Sequence, residues 1–147
     1  MAAVARLVLP DADMLVRRWA RDLVSLGRAN GQVMFGMPRA PHFPLIVLTR
    51  VAGMPDLDVD VDYPLYQWDV WSQSGKREAD KIAHALVHEL RTLGPTPVQA
   101  GDHDVDGGSG VLLGASAVTG PRPMPDPDAS LYRNVVQAQI TLRPSGP

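Results

Sequence analysis

Alternating aspartates in a glycine-rich stretch offer the first possible metal chemistry in this chain. GDHDVDGGSG, residues 101–110, begins as a calcium-binding loop does, with three alternating aspartates followed by glycine. Such a loop requires a bidentate glutamate at its twelfth position, and Leu113 occupies that position here. The residues that follow are predicted to form a strand instead of the required exit helix. We therefore interpret the stretch as a hairpin loop that offers at most weak calcium binding, through Asp102, Asp104 and Asp106.

Two histidines four residues apart are the second candidate for metal chemistry. His84 and His88, in HALVH, have the spacing of helical zinc ligands. A zinc protease also needs a glutamate directly after the first histidine as its general base, and Ala85 occupies that position. Both histidines fall opposite the apolar stripe of their predicted helix. We expect a solvated helix face there and no zinc site.

Other motifs of catalysis and of nucleotide binding do not occur in the sequence. GGSG lacks the lysine and hydroxyl residue of a phosphate loop, and no nucleophile elbow or dinucleotide fingerprint is found. The chain has no cysteine, which excludes disulfides, iron–sulfur clusters and thiolate zinc sites. Aromatic residues make up 5% of the chain, too few for a nucleic-acid stacking platform, so Trp68 and Trp71 are expected in the core and a packed edge. We predict that the protein is not an enzyme and binds no cofactor.

Composition favours one soluble domain over residues 1–147. Of the 147 residues, 45% are hydrophobic and 20% are charged, with a net charge of −2. A chain of this size buries a single moderate core. The absence of a basic excess argues against a nucleic-acid partner, and no apolar run approaches the roughly 20 residues that cross a bilayer. The N-terminal residues lack the basic-then-apolar order of a signal peptide.

Hydrophobic periodicity predicts two helices. The first is expected over residues 11–26, with Asp11 as its cap, because its apolar residues recur at helical spacing. The second is expected over residues 76–93, where the same spacing recurs and Gly94 and Pro95 end the helix. The first stripe consists of Leu15, Trp19, Leu23 and Leu26, and the second of Ala79, Ile82, Ala83, Leu86, Leu90 and Leu93. The arginines expected together on the far side of the first helix are Arg17, Arg21 and Arg28.

Apolar and alternating runs predict five strands. They lie at residues 32–37, 45–51, 65–72, 111–118 and 132–142. Alternate residues are expected to share one face of the third strand and of the last: Tyr66, Trp68 and Val70, and Val136, Ala138, Ile140 and Leu142. The resulting order, α-β-β-β-α-β-β, predicts an α+β fold with a mixed or antiparallel sheet and both helices packed on one face.

Two connecting segments, near residues 52–64 and 119–130, are predicted to project as arms. In the first, four aspartates alternate with apolar residues, and their mutual repulsion favours an exposed hairpin arm over a central strand. In the second, proline at every second residue stiffens the chain and lowers the entropy lost on binding. The residues of the arms expected to make contacts are Asp56, Asp58, Asp60, Asp62, Pro121, Arg122, Pro123, Pro125 and Pro127.

The central pattern of the chain resembles a family of phage proteins. An apolar strand, PLIVLTRVAG, is followed by the aspartate-rich arm, the strand YPLYQWDVWSQ and the helical EADKIAHALVHEL. This succession resembles the tail terminator, or tail completion, proteins of long-tailed (siphovirus-type) bacteriophages, especially those of actinobacteria. The similar part covers residues 45–93, with the first helix and the last strand in matching order, whereas residues 101–110 and 119–130 lie outside it.

The resemblance implies a structural virion protein that forms a hexameric ring. Such a ring stops polymerisation of the tail tube and joins the tail to the head connector. The implied partners are copies of this chain, the tail-tube protein and the connector or stopper protein, without a sequence-specific nucleic acid or a membrane. The implied location is the tail or neck of the virion, after assembly in the host cytoplasm. A low charged fraction is expected where much surface is buried between subunits.

Two other interpretations fit the sequence. The first is another neck protein, such as a head–tail stopper or connector, which the resemblance does not separate from a terminator. The second is a small binding module that takes calcium at residues 101–110 or presents PRPMPDP as a polyproline ligand. Solution mass distinguishes the classes, because a terminator is expected to form a ring and a binding module to remain a monomer. In a ring, the arms would supply the main contacts and Arg17, Arg21 and Arg28 a secondary one.

Overall fold

The computed structural model describes residues 10–99, 108–128 and 130–145. Two α-helices, a 3-10 helix and six strands occur there, which confirms the α+β class. The elements are α1 (Ala12–Arg21), the 3-10 helix (Val24–Ala29), β1 (Val33–Met34), β2 (Leu45–Ala52), β3 (Leu65–Ser72), α2 (Lys76–Arg91), β4 (Thr96–Gln99), β5 (Ser109–Met124) and β6 (Tyr132–Pro144). The 3-10 helix and β4 are additions to the predicted order.

The six strands form one mixed sheet in the order β1-β2-β3-β6-β5-β4. β1 pairs with β2 in parallel, and all other neighbours are antiparallel. Trp68 of β3 lies between Leu48 of β2 and Val136 of β6, so these three core residues are neighbours across three adjacent strands. Register shifts interrupt the pairing of β5 with β6, and such irregularities bend a strand and curl its sheet.

Both helices pack on the same face of this sheet, as predicted. Trp19 of α1 meets Trp68 edge-on, with ring centroids 6.1 Å apart. Asn134 of β6 donates a hydrogen bond to Asp80 of α2, with 2.7 Å between nitrogen and oxygen. Because Asn134 and Val136 are two residues apart, they point to the side on which Trp68 lies. The core therefore forms between the helices and one sheet face.

The first predicted helix is wrong in its length. α1 ends at Arg21 with Asp22 as its C-cap, and Leu23 is extended, with φ of −82° and ψ of 102°. The separate 3-10 helix then carries Leu26 into the core, where it is fully buried, whereas Leu23 is only half-buried. The second helix matches the prediction closely, since α2 begins after Gly75 and ends two residues before Leu93.

The predicted loop over residues 119–130 is also wrong for its first half. β5 continues to Met124, so Pro121 and Pro123 lie in the sheet beside β6. Gly120, with φ of 101°, lies so close to β6 that an added Cβ would come within 2.5 Å of the Val135 carbonyl oxygen. Only a residue without a side chain fits this approach. Pro125 and Pro127 remain in the short connection that follows β5.

Among the described residues, no helix is long and apolar enough to cross a membrane.

Candidate assembly surface

The aspartate-rich segment forms an exposed hairpin, as predicted, but it closes into a short turn and does not extend as a long arm. The backbone N–H of Asp56 donates to the Val61 carbonyl at 2.7 Å, and the N–H of Val61 donates back to the Asp56 carbonyl at 3.2 Å. Inside this bridge the Asp56 carboxylate accepts a hydrogen bond from the Asp58 backbone at 3.0 Å. Asp60 has φ of 52°, a left-handed conformation that aspartate tolerates better than most residues. The aspartates therefore do not form one charged edge.

Asp62 is the buried member of the four predicted contact aspartates. Only 4% of it is exposed, and its carboxylate accepts hydrogen bonds from both Arg50 terminal nitrogens, at 2.9 and 3.1 Å, and from the Tyr63 backbone at 2.9 Å. Its backbone also exchanges two hydrogen bonds with Leu142 of β6, at 2.8 and 3.0 Å. This corrects the prediction for Asp62: the residue anchors the turn to the sheet and is not a contact residue.

Arg50 fixes the other end of the same segment. Its guanidinium also donates to the Gly53 carbonyl oxygen at 2.8 Å, which joins the residues before the turn to Asp62 after it. Burial lowers the pKa of Arg50, but hydrogen bonding to Asp62 and the charge of its carboxylate raise it, and the net change is upward. Gly53, with φ of 93°, leaves no room for a Cβ, which would lie 2.0 Å from the Tyr63 carbonyl oxygen. Hydrogen bonds and close packing therefore hold both ends of the turn.

The anchored turn exposes large apolar side chains. Leu57 is 72% exposed and Val59 is 59% exposed, and Met54, just before the turn, is 82% exposed. A folded protein rarely leaves several large apolar side chains together in water unless they contact another molecule. The carboxylates of Asp56 and Asp58 lie in the same segment and are exposed as well. We call residues 51–60 the acidic turn.

The three predicted contact arginines do not share one face, which corrects a second prediction. Arg28 lies on the 3-10 helix and turns toward α2, where it contacts Glu78 at 3.3 Å and the Phe43 carbonyl oxygen at 3.4 Å. Arg17 and Arg21 stay on α1. The residues that line a groove of about 360 Å³ beside them are Met14, Arg17, Arg18, Arg21, Asp22 and Gly31. We call this the arginine groove.

Positive charge accumulates in the arginine groove. Asp22 pairs with Arg18 at 3.4 Å, which leaves Arg17 and Arg21 without a carboxylate partner among the ion pairs of the described residues. Partial burial, and then the charge of Arg21, lower the pKa of Arg17. The Arg17 guanidinium lies 5.0 Å from the centre of the Phe35 ring, and Phe35 is still 42% exposed. The groove thus combines unpaired cations with an exposed ring.

On the sheet face that no helix covers, polar side chains form hydrogen bonds with one another. Arg133 donates to Asp69 and lies over the Trp71 ring, 5.2 Å from its centre. Gln137 donates to Gln67 at 3.1 Å. Trp71 is thus packed at the surface while Trp68 is fully buried, as predicted. Since these side chains already have partners, this row stabilises the sheet and offers no free reactive group.

Of the two candidate metal sites, the histidine pair lies within the described residues and the aspartate loop does not. His84 and His88 are exposed on α2, as predicted. Within residues 10–99, 108–128 and 130–145, no group of three or more histidine or acidic side chains could hold a metal ion. The loop containing Asp102, Asp104 and Asp106 lies outside the described residues, so weak calcium binding there stays a prediction.

Arg50 is the anchoring residue of the acidic turn that the sequence did not predict. Its only signal in the sequence is a single cation inside the apolar strand LIVLTRV, shortly before a run of aspartates. Comparison with known proteins adds no further assignment, since no protein-family model and no curated sequence matches the chain. The acidic turn and the arginine groove are therefore the features from which function can be inferred.

Proposed function

We propose that this protein is a structural subunit that assembles with its own copies into a ring, terminates the tail tube of a long-tailed bacteriophage and joins the tail to the head connector. The role consists of binding, without bond chemistry. The observation that carries the proposal is the acidic turn, which the partly buried Arg50–Asp62 pair holds at its two ends while Leu57 and Val59 stay exposed.

The way in which the turn is held favours binding. Ordering a free loop on binding costs conformational entropy, and a segment already fixed at both ends avoids most of that loss. Arg50 bonds to Gly53 on one side and Asp62 on the other, so both ends of the exposed segment are fixed. Such a surface suits contact with another protein better than it suits a small ligand, because the turn projects and does not enclose a cavity.

The order of the elements around the turn supports the phage role in particular. The order along the chain is β2, the turn, β3 and α2. The sequence of this same part of the chain resembles the tail terminator family. β2 and β3 are antiparallel neighbours, so the turn lies at the end of a sheet that α2 backs from one side. By the same resemblance the ring would contain six subunits.

The role in the virion is tested by electron microscopy of particles assembled without this protein. Overlong tail tubes are expected, and supply of the wild-type protein should restore tubes of normal length. Tails of normal length that fail to join heads would instead favour a stopper or connector ring of the neck. Normal tails joined to filled heads would refute a role in either process.

The contact surface is tested separately with the purified protein and polymerising tail-tube protein. Replacing both Leu57 and Val59 by serine should abolish capping of the tube while the subunit stays folded, because both side chains are exposed. Val24→Ser is the matched control, since Val24 is 86% exposed but lies on the 3-10 helix. Equal capping by the turn variant and the control would contradict a contact through the acidic turn.

A further inference from the structure

We propose that neighbouring subunits of the ring join head to tail, with the acidic turn of one copy seated against the arginine groove of the next. The inference rests on the proposed function only for the premise that copies of this chain assemble. In this contact, the partner of the acidic turn is the arginine groove of a second copy.

Charge complementarity is the first observation behind this contact. The ion pairs of the described part of the chain involve none of Asp56, Asp58 and Asp60, because the Arg50 guanidinium is already bound to Asp62. On the other surface, Arg17 and Arg21 have no carboxylate in the same set of ion pairs. The acidic turn therefore carries unpaired negative charge, and the arginine groove carries unpaired positive charge. Such complementarity steers association and fixes its orientation.

The distribution of exposed apolar side chains is the second observation. Among the described residues, eight large hydrophobic side chains are exposed, and five of them belong to these two regions. Four lie within residues 51–60 (Val51 at the end of β2, then Met54, Leu57 and Val59), and Phe35 lies against Arg17 of the arginine groove. A contact between the regions would cover most of this apolar area and place the charges around it, as in many protein interfaces.

The sign of the charges also restricts the symmetry of the contact. Repulsion between like charges disfavours any arrangement that sets turn against turn or groove against groove. A two-fold dimer satisfies the charges only if the turn of each copy contacts the groove of the other at the same time. A contact that engages one turn and one groove repeats by a single rotation and closes into a ring when that rotation divides a full turn. The head-to-tail contact proposed here is of this second kind, and the mass of the assembly in solution distinguishes a ring from a dimer.

The contact can be tested by reversing charge on each surface. The turn variant carries Asp56→Lys and Asp58→Lys, and the groove variant carries Arg17→Glu and Arg21→Glu. Each variant alone would bring like charges together, so we expect subunit affinity to fall at least tenfold in sedimentation and light scattering. A chain that carries all four changes regains opposite charges at each contact and should form rings again. An equal mixture of the two variants should form mixed rings for the same reason.

Matched controls separate this contact from general effects of charge. Lys81→Glu with Arg91→Glu makes the same charge change as the groove variant on the exposed face of α2, and rings should persist. Unchanged thermal unfolding would show that each variant remains folded. Rings that persist in both reversal variants, or no recovery in the fourfold variant, would overturn the head-to-tail contact.

The result is independent of the proposed role in the phage. A wild-type protein that stays monomeric at all concentrations would overturn the contact, whereas the role in tails is decided by particles assembled without the protein. Loss of rings in the reversal variants together with tails of normal length would support the contact and refute the role.

Discussion

Replacing Asp62 by alanine is expected to destabilise the subunit by about 2–3 kcal/mol. Removing one partner of a fully buried ion pair typically costs about 3–5 kcal/mol, because the remaining charge is left without compensation. Here the Arg50 side chain is 28% exposed and keeps its hydrogen bond to Gly53, so water and the backbone compensate in part. The hydrogen bond from Tyr63 to the Asp62 carboxylate is also lost, which keeps the cost well above that of a surface pair.

The same segment offers a matched control for this change. Asp58 belongs to the same turn, but its side chain is exposed, so Asp58→Ala should change the free energy of unfolding by less than about 0.5 kcal/mol. Replacing Arg50 and Asp62 together by leucine should recover much of the loss, because no unpaired charge then remains buried. Asp58→Ala thus controls for a change within the same segment, and the double variant controls for the number of altered residues. The effect of the unpaired charge is measured against both.

Urea unfolding followed by circular dichroism measures these differences. Each variant is unfolded at several protein concentrations, because assembly of the kind proposed would make the apparent stability depend on concentration. For a domain of this length, about 2–3 kcal/mol corresponds to a fall of about 5–10 °C in the thermal midpoint. If Asp62→Ala costs no more than Asp58→Ala, the buried pair does not anchor the turn and the case for a fixed contact surface is lost.

Further expectations concern the core, pH and calcium. Leu86→Ala should cost about 2–5 kcal/mol in urea unfolding because Leu86 is fully buried, while His84→Ala should cost little; the reverse order would refute the assigned helix face. The pKa of Asp80 is lowered from its usual 3.8, chiefly by a hydrogen bond from Lys76. The ionised carboxylate therefore stabilises the fold above that pH. This contribution disappears as pH falls through the folded-state pKa. Wild type and Asp80→Asn should therefore differ by a constant free energy from about pH 5 to 8, and the difference should shrink as pH falls through the folded-state pKa of Asp80, so a difference that persists unchanged in strong acid would refute this. Millimolar calcium should leave the thermal midpoint unchanged because Leu113 replaces the required glutamate, and a rise of several degrees would show that the loop binds the ion.

The sequence predicts the elements whose burial follows a regular period. β3 and β6 alternate between core and surface, and α2 has an uninterrupted apolar stripe, so all three were located to within about two residues. The break after Arg21 is different. Leu26 stays in phase with the stripe of α1 and is buried by a separate 3-10 helix, so the periodicity alone could not reveal the change of direction.

Long-range pairing explains the remaining errors. Pro121 and Pro123 predict a loop from their local chemistry, but β6 holds them in the sheet through residues far along the chain. The four alternating aspartates look equivalent in the sequence, but contacts with Arg50 and with the backbone of Leu142 make Asp62 alone a buried anchor. The division of this segment into an anchor and an exposed surface depends on tertiary contacts that no local pattern contains.

The borders of the sheet determine how copies of this chain can and cannot join. β1 has two residues and β4 has four, one of them Pro97, so each outermost strand offers few backbone groups to an added strand. β4 covers only residues 109–112 of β5, and at the far end of β5 Pro121 and Pro123 have no N–H to donate. Pairing with a strand of another molecule, the usual route to fibrous aggregation, is therefore disfavoured at the two outermost strands and at the proline-containing end of β5. Copies that assemble as proposed would therefore contact one another through side chains and not through a shared sheet.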